Sequence, residues 1–187
     1  AFVKTPVWSE AEAATQAAFG ELRDFLGDSC DEVTMPDEFE TAVGNLRAIM
    51  YADLARYLDR YMKRDETKIS EILRDMIQEG SGVHAVDYNR AVDQIPPLRA
   101  WIDELSNAYD AIVTPATPGE APLGLEATGN PIFCSTWSYL GGPALSLPVM
   151  EGENGMPLGL QLIGPYGDDG RLLRTCHWLL ESIVRQT

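Results

Sequence analysis

The chain is short of the side chains on which much hydrolytic and redox chemistry relies. It holds two histidines, His84 and His177, three lysines, Lys4, Lys63 and Lys68, and three cysteines, Cys30, Cys134 and Cys176, in 187 residues. A Ser-His-Asp triad needs a histidine free to take the serine proton. Both histidines fall in segments with helical patterning, His84 near a helix start and His177 between Cys176 and Trp178, so they read as structural or surface residues. The cysteines stand far apart, in no metal-ligand spacing and no CxxC pair, which suits buried thiols in a reducing compartment. GxSxG, Walker, GxGxxG and HExxH patterns are all absent. No cofactor and no metal are expected.

Positive charge is scarce as well. Fourteen basic side chains face 29 acidic ones, for a formal net charge of −15. Such a surface repels phosphate backbones and anionic lipids, so neither nucleic acid nor a membrane is expected as a partner. No apolar run approaches the roughly 20 residues that span a bilayer. No basic n-region followed by an apolar h-region marks a secretion signal, and a cytoplasmic location is expected. The chain opens at Ala1 directly on an apolar run, without an initiator methionine, which reads as a piece missing an upstream segment.

Hydrophobic residues make up 45% of the chain, enough for a buried core in one domain or a large piece of one. Residues 1–108 pattern mostly as helix. A short strand over Ala1–Val7 leads to Ser9 and Glu12, spaced as a capping box, and to Ala11, Ala14, Ala18, Leu22 and Phe25 at helical spacing until Gly27. An extended piece around Val33 ends at Met35-Pro36. Asp37 is placed to cap a long helix with the stripe Phe39, Ala42, Val43, Leu46, Ile49, Met50, Leu54, Leu58 and Tyr61. The charges Arg56, Asp59, Arg60, Lys63 and Arg64 at its end read as a solvated face rather than a phosphate site. A further helix carries Ile69, Ile72, Leu73, Met76 and Ile77 and closes at a flexible Gly80-Ser81-Gly82. Another runs from Val83 to Ser106, kinked or split at Pro96-Pro97.

Beyond Tyr109 short apolar runs replace the helical stripes. Ala111–Val113, Leu145–Met150 and Leu158–Ile163 read as strands, the last two joined by a turn at Asn154-Gly155, both residues able to take positive φ. Asp168 or Asp169 caps a last helix with Leu172, Leu173, Cys176, Leu179, Leu180 and Ile183 inward. Helices interleaved with short apolar strands predict an α/β fold, a mixed sheet flanked by helices.

No complete catalytic set is present. Ser135, Ser138 and Ser146 lie in the apolar C-terminal part, but a hydroxyl needs a base, and no lysine lies near a Gly/Ser-rich turn. The segment Thr128–Pro143 is suited to a pocket: Phe133 and Trp137 supply apolar walls, and Asn130 and Ser138 can orient a polar group. On composition alone the plainer reading is preferred, a loop and short helix packed into the core, with Gly141-Gly142-Pro143 turning the chain.

Three stretches carry a resemblance. Tyr109–Pro118 (YDAIVTPATP), Trp137–Pro148 (WSYLGGPALSLP) and Gly159–Pro165 (GLQLIGP) followed by Asp168-Asp169 resemble, in order, the C-terminal landmarks of the amidase-signature family. Phe2–Trp8 is similar to the strand that follows that family's signature region. The usual leucine or valine before the proline of the second landmark is Gly142 here. The resemblance implies a C-terminal portion of the amidase-signature fold, part of an enzyme hydrolysing a small carboxamide through a serine acyl-enzyme. The Ser-Ser-Lys set belongs upstream of the strand resembling Ala1–Trp8, so no catalytic residue transfers to this chain, and the chain alone is expected to be inactive. By position, Asn130, Phe133, Trp137 and Ser138 are the candidates for lining the substrate pocket. The alternatives are a non-catalytic binding module and the glutaminase subunit of an amidotransferase. Exposure of Phe2-Val3 and of the Leu145–Ile163 strands is expected to drive homo-oligomerisation.

Overall fold

The computed structural model describes residues 1–185, so the last two residues of the single unit expected over 1–187 lie outside the described region. In chain order the elements are β1 (Phe2–Lys4), α1 (Ala13–Leu26), β2 (Glu32–Thr34), α2 (Ala42–Asp65), α3 (Glu71–Ser81), α4 (Ala85–Asp93), α5 (Ile95–Leu105), β3 (Ile112–Pro115), α6 (Ile132–Leu140), β4 (Ala144–Glu151), β5 (Pro157–Ile163) and α7 (Asp169–Val184). The strands form one mixed sheet in the order β2-β1-β3-β5-β4. β1 is parallel to β2 and β3, and β5 is antiparallel to both β3 and β4. The mixed sheet flanked by helices is the architecture the patterning implies.

Alternation along the strands divides the core in two. Val3, Ile112 and Ile163 face a layer made by Phe39, Ala42, Leu98, Ile102, Trp137 and Leu140, from the approach to α2 and from α2, α5 and α6. Phe2, Val113, Leu160 and Leu162 face the opposite layer, built from Phe19 and Leu22 of α1 and Leu172, Cys176 and Leu179 of α7. The strands are therefore apolar on both faces, which is why they read as continuous apolar runs.

Several local expectations are corrected by tertiary contacts. Ser9 falls in a 3-10 turn, and α1 starts at Ala13 with no side-chain cap. Glu12 is drawn away instead: its N–H donates to Pro118 O at 2.8 Å, and Gly119 lies against its carboxylate. Asp37 opens a 3-10 turn rather than capping α2. Pro96-Pro97 splits the long helix, because prolines are tolerated in the first turn of α5 but not inside a continuous α4–α5. Gly80 is a packing residue rather than a hinge: a Cβ there would sit 1.8 Å from Tyr51 O on α2. Ile72 and Leu173 keep helical spacing yet are 74% and 57% exposed. Of the Asn154-Gly155 pair only Gly155 takes positive φ. Asp168 does cap α7, accepting from Arg171 N at 3.1 Å.

The apolar segments expected to drive association are covered within the chain. Phe2 and Val3 are buried, as are Leu147 and most of β5. The edge strands carry their own protection. Glu32 on β2 accepts from Lys4 and Arg23, both at 2.7 Å. β4 contains Pro148 and a register irregularity between Leu147 and Met150.

Candidate functional site

β1 and β3 run parallel, so their carboxyl ends lie on one side of the sheet, the side on which ligands of open α/β sheets bind. The start of α6 reaches the same place. The Cys134 thiol donates to Ala116 O at 3.3 Å and accepts from Gln161 Nε2 at 3.5 Å. Thr114, Gln161 and Ser146 are direct cross-strand partners on β3, β5 and β4. They form a transverse polar row on the face beneath α6, since Thr114 and Gln161 alternate with the apolar positions Val113 and Leu162 that face the other layer.

Thr114 and Gln161 are buried, and the Thr114 hydroxyl and Gln161 Oε1 have no protein partner. Thr5 Oγ1, beyond the end of β1, and Trp137 Nε1, packed in the same layer as Val3 and Ile112, are also buried and unpartnered. An unpaired buried polar group costs about 1–3 kcal/mol, and native folds keep few of them. Four on one side of a sheet, none charged, mark the region as unusual. Gly159 lets the strands close tightly beside the row, because a Cβ there would lie 2.8 Å from both Ala116 Cβ and Ser146 Oγ.

The segment 117–131 joins β3 to α6 across this edge and is fixed at both ends. The Glu120 carboxylate accepts from Asn154 N at 2.9 Å, Asn154 Nδ2 at 2.7 Å and Met156 N at 3.0 Å. The hydrogen bond from the Asn154 side chain chiefly holds the Glu120 pKa below the ordinary carboxylate value. Asn130 Oδ1 accepts from Ile132 N at 3.1 Å. At the far end of α6, Gly141 takes the left-handed conformation that stops the helix. Arg99 Nε donates to Leu140 O at 2.6 Å, and its guanidinium lies 3.8 Å from the Tyr166 ring centroid. The Tyr139 hydroxyl donates to Ala91 O, and burial pushes its pKa up.

The structure distributes the four predicted lining residues unevenly. Phe133 and Trp137, one helical turn apart, are 1% and 2% exposed within the core. Ser138 sits on the outer side of α6, and Asn130 on the exposed approach to it. Cys134, Gln161 and Thr114 escape the composition argument, although a glutamine inside the apolar run Leu158–Ile163 is a signal that could have found them. Two of the three thiols, Cys30 and Cys134, are half-exposed and only Cys176 is buried. A cavity of about 690 Å³ around Ala1, Cys30, Tyr109, Arg171 and Trp178 lies at the amino ends of β1 and β3, away from this row. Among the described residues no cluster of three or more metal-ligating side chains occurs, and no helix is long and apolar enough to cross a membrane.

Comparison with known proteins decides the family. The amidase family model matches residues 1–173. The chain belongs to the amidase family. Among curated family relatives, it is 32% identical to a glutamyl-tRNA(Gln) amidotransferase subunit of Cupriavidus necator, over 90% of this chain and 40% of that protein. It is 27% identical to 2-amino-5-chloromuconic acid deaminase of Comamonas testosteroni, over 65% of this chain and 29% of that protein. Its fold superposes on a crystal structure of an amidase with a TM-score of 0.82 at 26% identity, covering 96% of this chain and 44% of the other. The chain thus spans less than half the length of the family members it matches.

Proposed function

We propose that these residues form the C-terminal, pocket-lining part of an amidase that converts a small carboxamide to a carboxylate and ammonia. The uncharged polar row beneath α6 is the observation that carries this reading, set within the family match over residues 1–173. A primary carboxamide is neutral and offers one acceptor and an NH2 donor. Trp137 Nε1–H suits the acceptor, Gln161 Oε1 suits the donor, and the Thr114 and Thr5 hydroxyls serve either role. The carboxylate product has no N–H to give Gln161 and brings a charge to an uncharged wall, which favours its release.

In this reading a serine outside these 187 residues attacks the amide carbon. The leaving nitrogen takes a proton and departs as ammonia, and water then cleaves the resulting ester to free the acid and restore the serine. A second serine and a lysine relay the protons, and backbone N–H groups hold the oxyanion, a contribution of about 3–4 kcal/mol in a well-studied case. Phe133 and Trp137 shape the wall, while Asn130 and Ser138, exposed at the approach to α6 and on its outer side, contact the part of the substrate held outside the row. The chain alone is catalytically silent, and the intact enzyme works in the cytoplasm as an oligomer.

A second reading is supported by the name of the Cupriavidus relative: a glutaminase that passes its ammonia to an acceptor. Glutamine carries a primary carboxamide, so the same wall serves both. Assaying the longer protein that contains these residues for ammonia release from simple amides and from glutamine separates the two. Hydrolysis of simple amides whose KM rises in Gln161→Leu supports the first reading. Turnover of glutamine alone supports the second, and no turnover of any carboxamide contradicts both.

A further inference from the structure

The helical hairpin of α2 and α3 ends in a surface with no role in the pocket. Leu58, Tyr61, Ile69 and Leu73 line a groove of about 400 Å³ together with Arg64, Asp65 and Lys68. Tyr57 and Ile72 stand exposed close by in sequence. Arg56 and Arg60 lie over the Tyr57 and Tyr61 rings at 5.2 and 4.7 Å. Residues 56–68 carry five basic and three acidic side chains, net +2, in a chain of net −15. Lys63 and Lys68 are paired with Asp59 and Asp65. Arg56, Arg60 and Arg64 have no carboxylate partner among the described residues. The hairpin tip is therefore a partly apolar groove in which Arg64 is the charge left unpaired by a carboxylate, on a body of net negative charge.

The same chain exposes a segment of complementary chemistry. Leu123 and Leu125 are as exposed as free side chains, 104% and 100%, and Glu126 follows them in the open. Their loop is not loose at its base. Glu120 is held by three hydrogen bonds from the β4–β5 turn, and Asn130 ties the other end to α6. Anchoring at Glu120 and Asn130 shortens the free span that carries the two leucines, which lowers the ordering cost of docking.

We propose that the groove at the α2–α3 tip receives the Leu123-Gly124-Leu125-Glu126 loop of a second copy of this chain. The two leucines enter between the Leu58/Tyr61 and Ile69/Leu73 walls, and Glu126 meets Arg64. Each copy owns both halves of the contact, and in the proposed dimer two such contacts close around a two-fold axis. The contact rests on neither reading of the pocket.

Sedimentation velocity on the purified chain, with a labelled peptide spanning residues 117–129 as a second probe, tests this. The wild type dimerises, and the peptide binds it and competes the dimer apart. Leu123→Ser/Leu125→Ser, Arg64→Glu and Glu126→Lys each weaken the dimer by about tenfold or more. Arg64→Glu combined with Glu126→Lys in one chain regains most of the loss, because every opposed pair is reversed together. All four positions are on the surface, and unchanged circular dichroism confirms that each variant folds. A wild-type chain that stays monomeric at its highest soluble concentration overturns the proposal. So does a dimer indifferent to these changes, a charge reversal that fails to rescue, or a peptide that does not bind.

Discussion

Gly159→Ala sets two opposing effects against each other at the polar row. An added Cβ restricts the unfolded chain, which at a compatible site stabilises by about 0.4–1 kcal/mol. Here the new Cβ arrives 2.8 Å from Ser146 Oγ and 2.8 Å from Ala116 Cβ, where van der Waals contact between carbon atoms is about 3.5–4.0 Å. The serine can rotate away at little cost. Ala116 cannot, because its Cβ is fixed to a backbone whose N–H donates to Gly159 O at 3.0 Å. β3 and β5 must part, and overpacking of this kind costs about 1–3 kcal/mol. We expect a net loss of about 1–2 kcal/mol, a fall in Tm of about 2–8 °C for a chain of this size. Reversible thermal and urea unfolding followed by circular dichroism measure it. Ser146→Gly in the same chain should recover only a small part, since the Ala116 contact remains. An unchanged or raised Tm, or full recovery with Ser146→Gly, would refute the reasoning.

Gly80→Ala should destabilise more despite gaining helix propensity, because its Cβ meets the Tyr51 carbonyl oxygen at 1.8 Å; a loss of about 3 kcal/mol or more is expected in urea unfolding. Glu120 has a depressed folded pKa, so the anchorage it provides is complete above its unfolded value of about 4.5 and is lost as pH falls through the lower folded value. The protection factors of the Asn154 and Met156 amides, taken against the intrinsic exchange rate at each pH, should therefore fall on acidification through that window, whereas in Glu120→Gln they should already be lower at neutral pH. Cys176 is buried and its thiol pKa is raised by that burial, so a disulfide reagent should modify it only after denaturant is added, while the half-exposed Cys134 reacts in the native protein.

Much of the architecture is legible in local patterning. The helical run of α2, the split at Pro96-Pro97, the Asp168 cap and the glycine turn before β5 all follow from the nearest few residues, although Met50 and Tyr61 of the expected α2 stripe are exposed. What local patterning misses is decided by distant partners. The Ser9–Glu12 capping box fails because Glu12 is claimed by Pro118 and Gly119, at the far side of the sequence. Ile72 and Leu173 have the spacing of core residues, but periodicity fixes only which face a side chain occupies, not whether another element covers it. The candidate site was half legible. Phe133 and Trp137 stand out by their chemistry in a Gly- and Ser-rich segment. Thr114, Gln161 and Ser146 become a row only through the register of three strands that are not consecutive in sequence, and the order β2-β1-β3-β5-β4 leaves no local trace.

The most direct test of an amidase whose nucleophile lies outside these residues is ammonia release from a panel of small carboxamides. It is run in parallel on the 187-residue chain and on the longer protein that contains it. The longer protein should turn over at least one amide, the chain alone none, and Ser138→Ala in the longer protein should raise KM while leaving kcat largely intact. Hydrolysis by the 187-residue chain itself, abolished by Ser138→Ala, would contradict this, because the nucleophile would then lie within these residues.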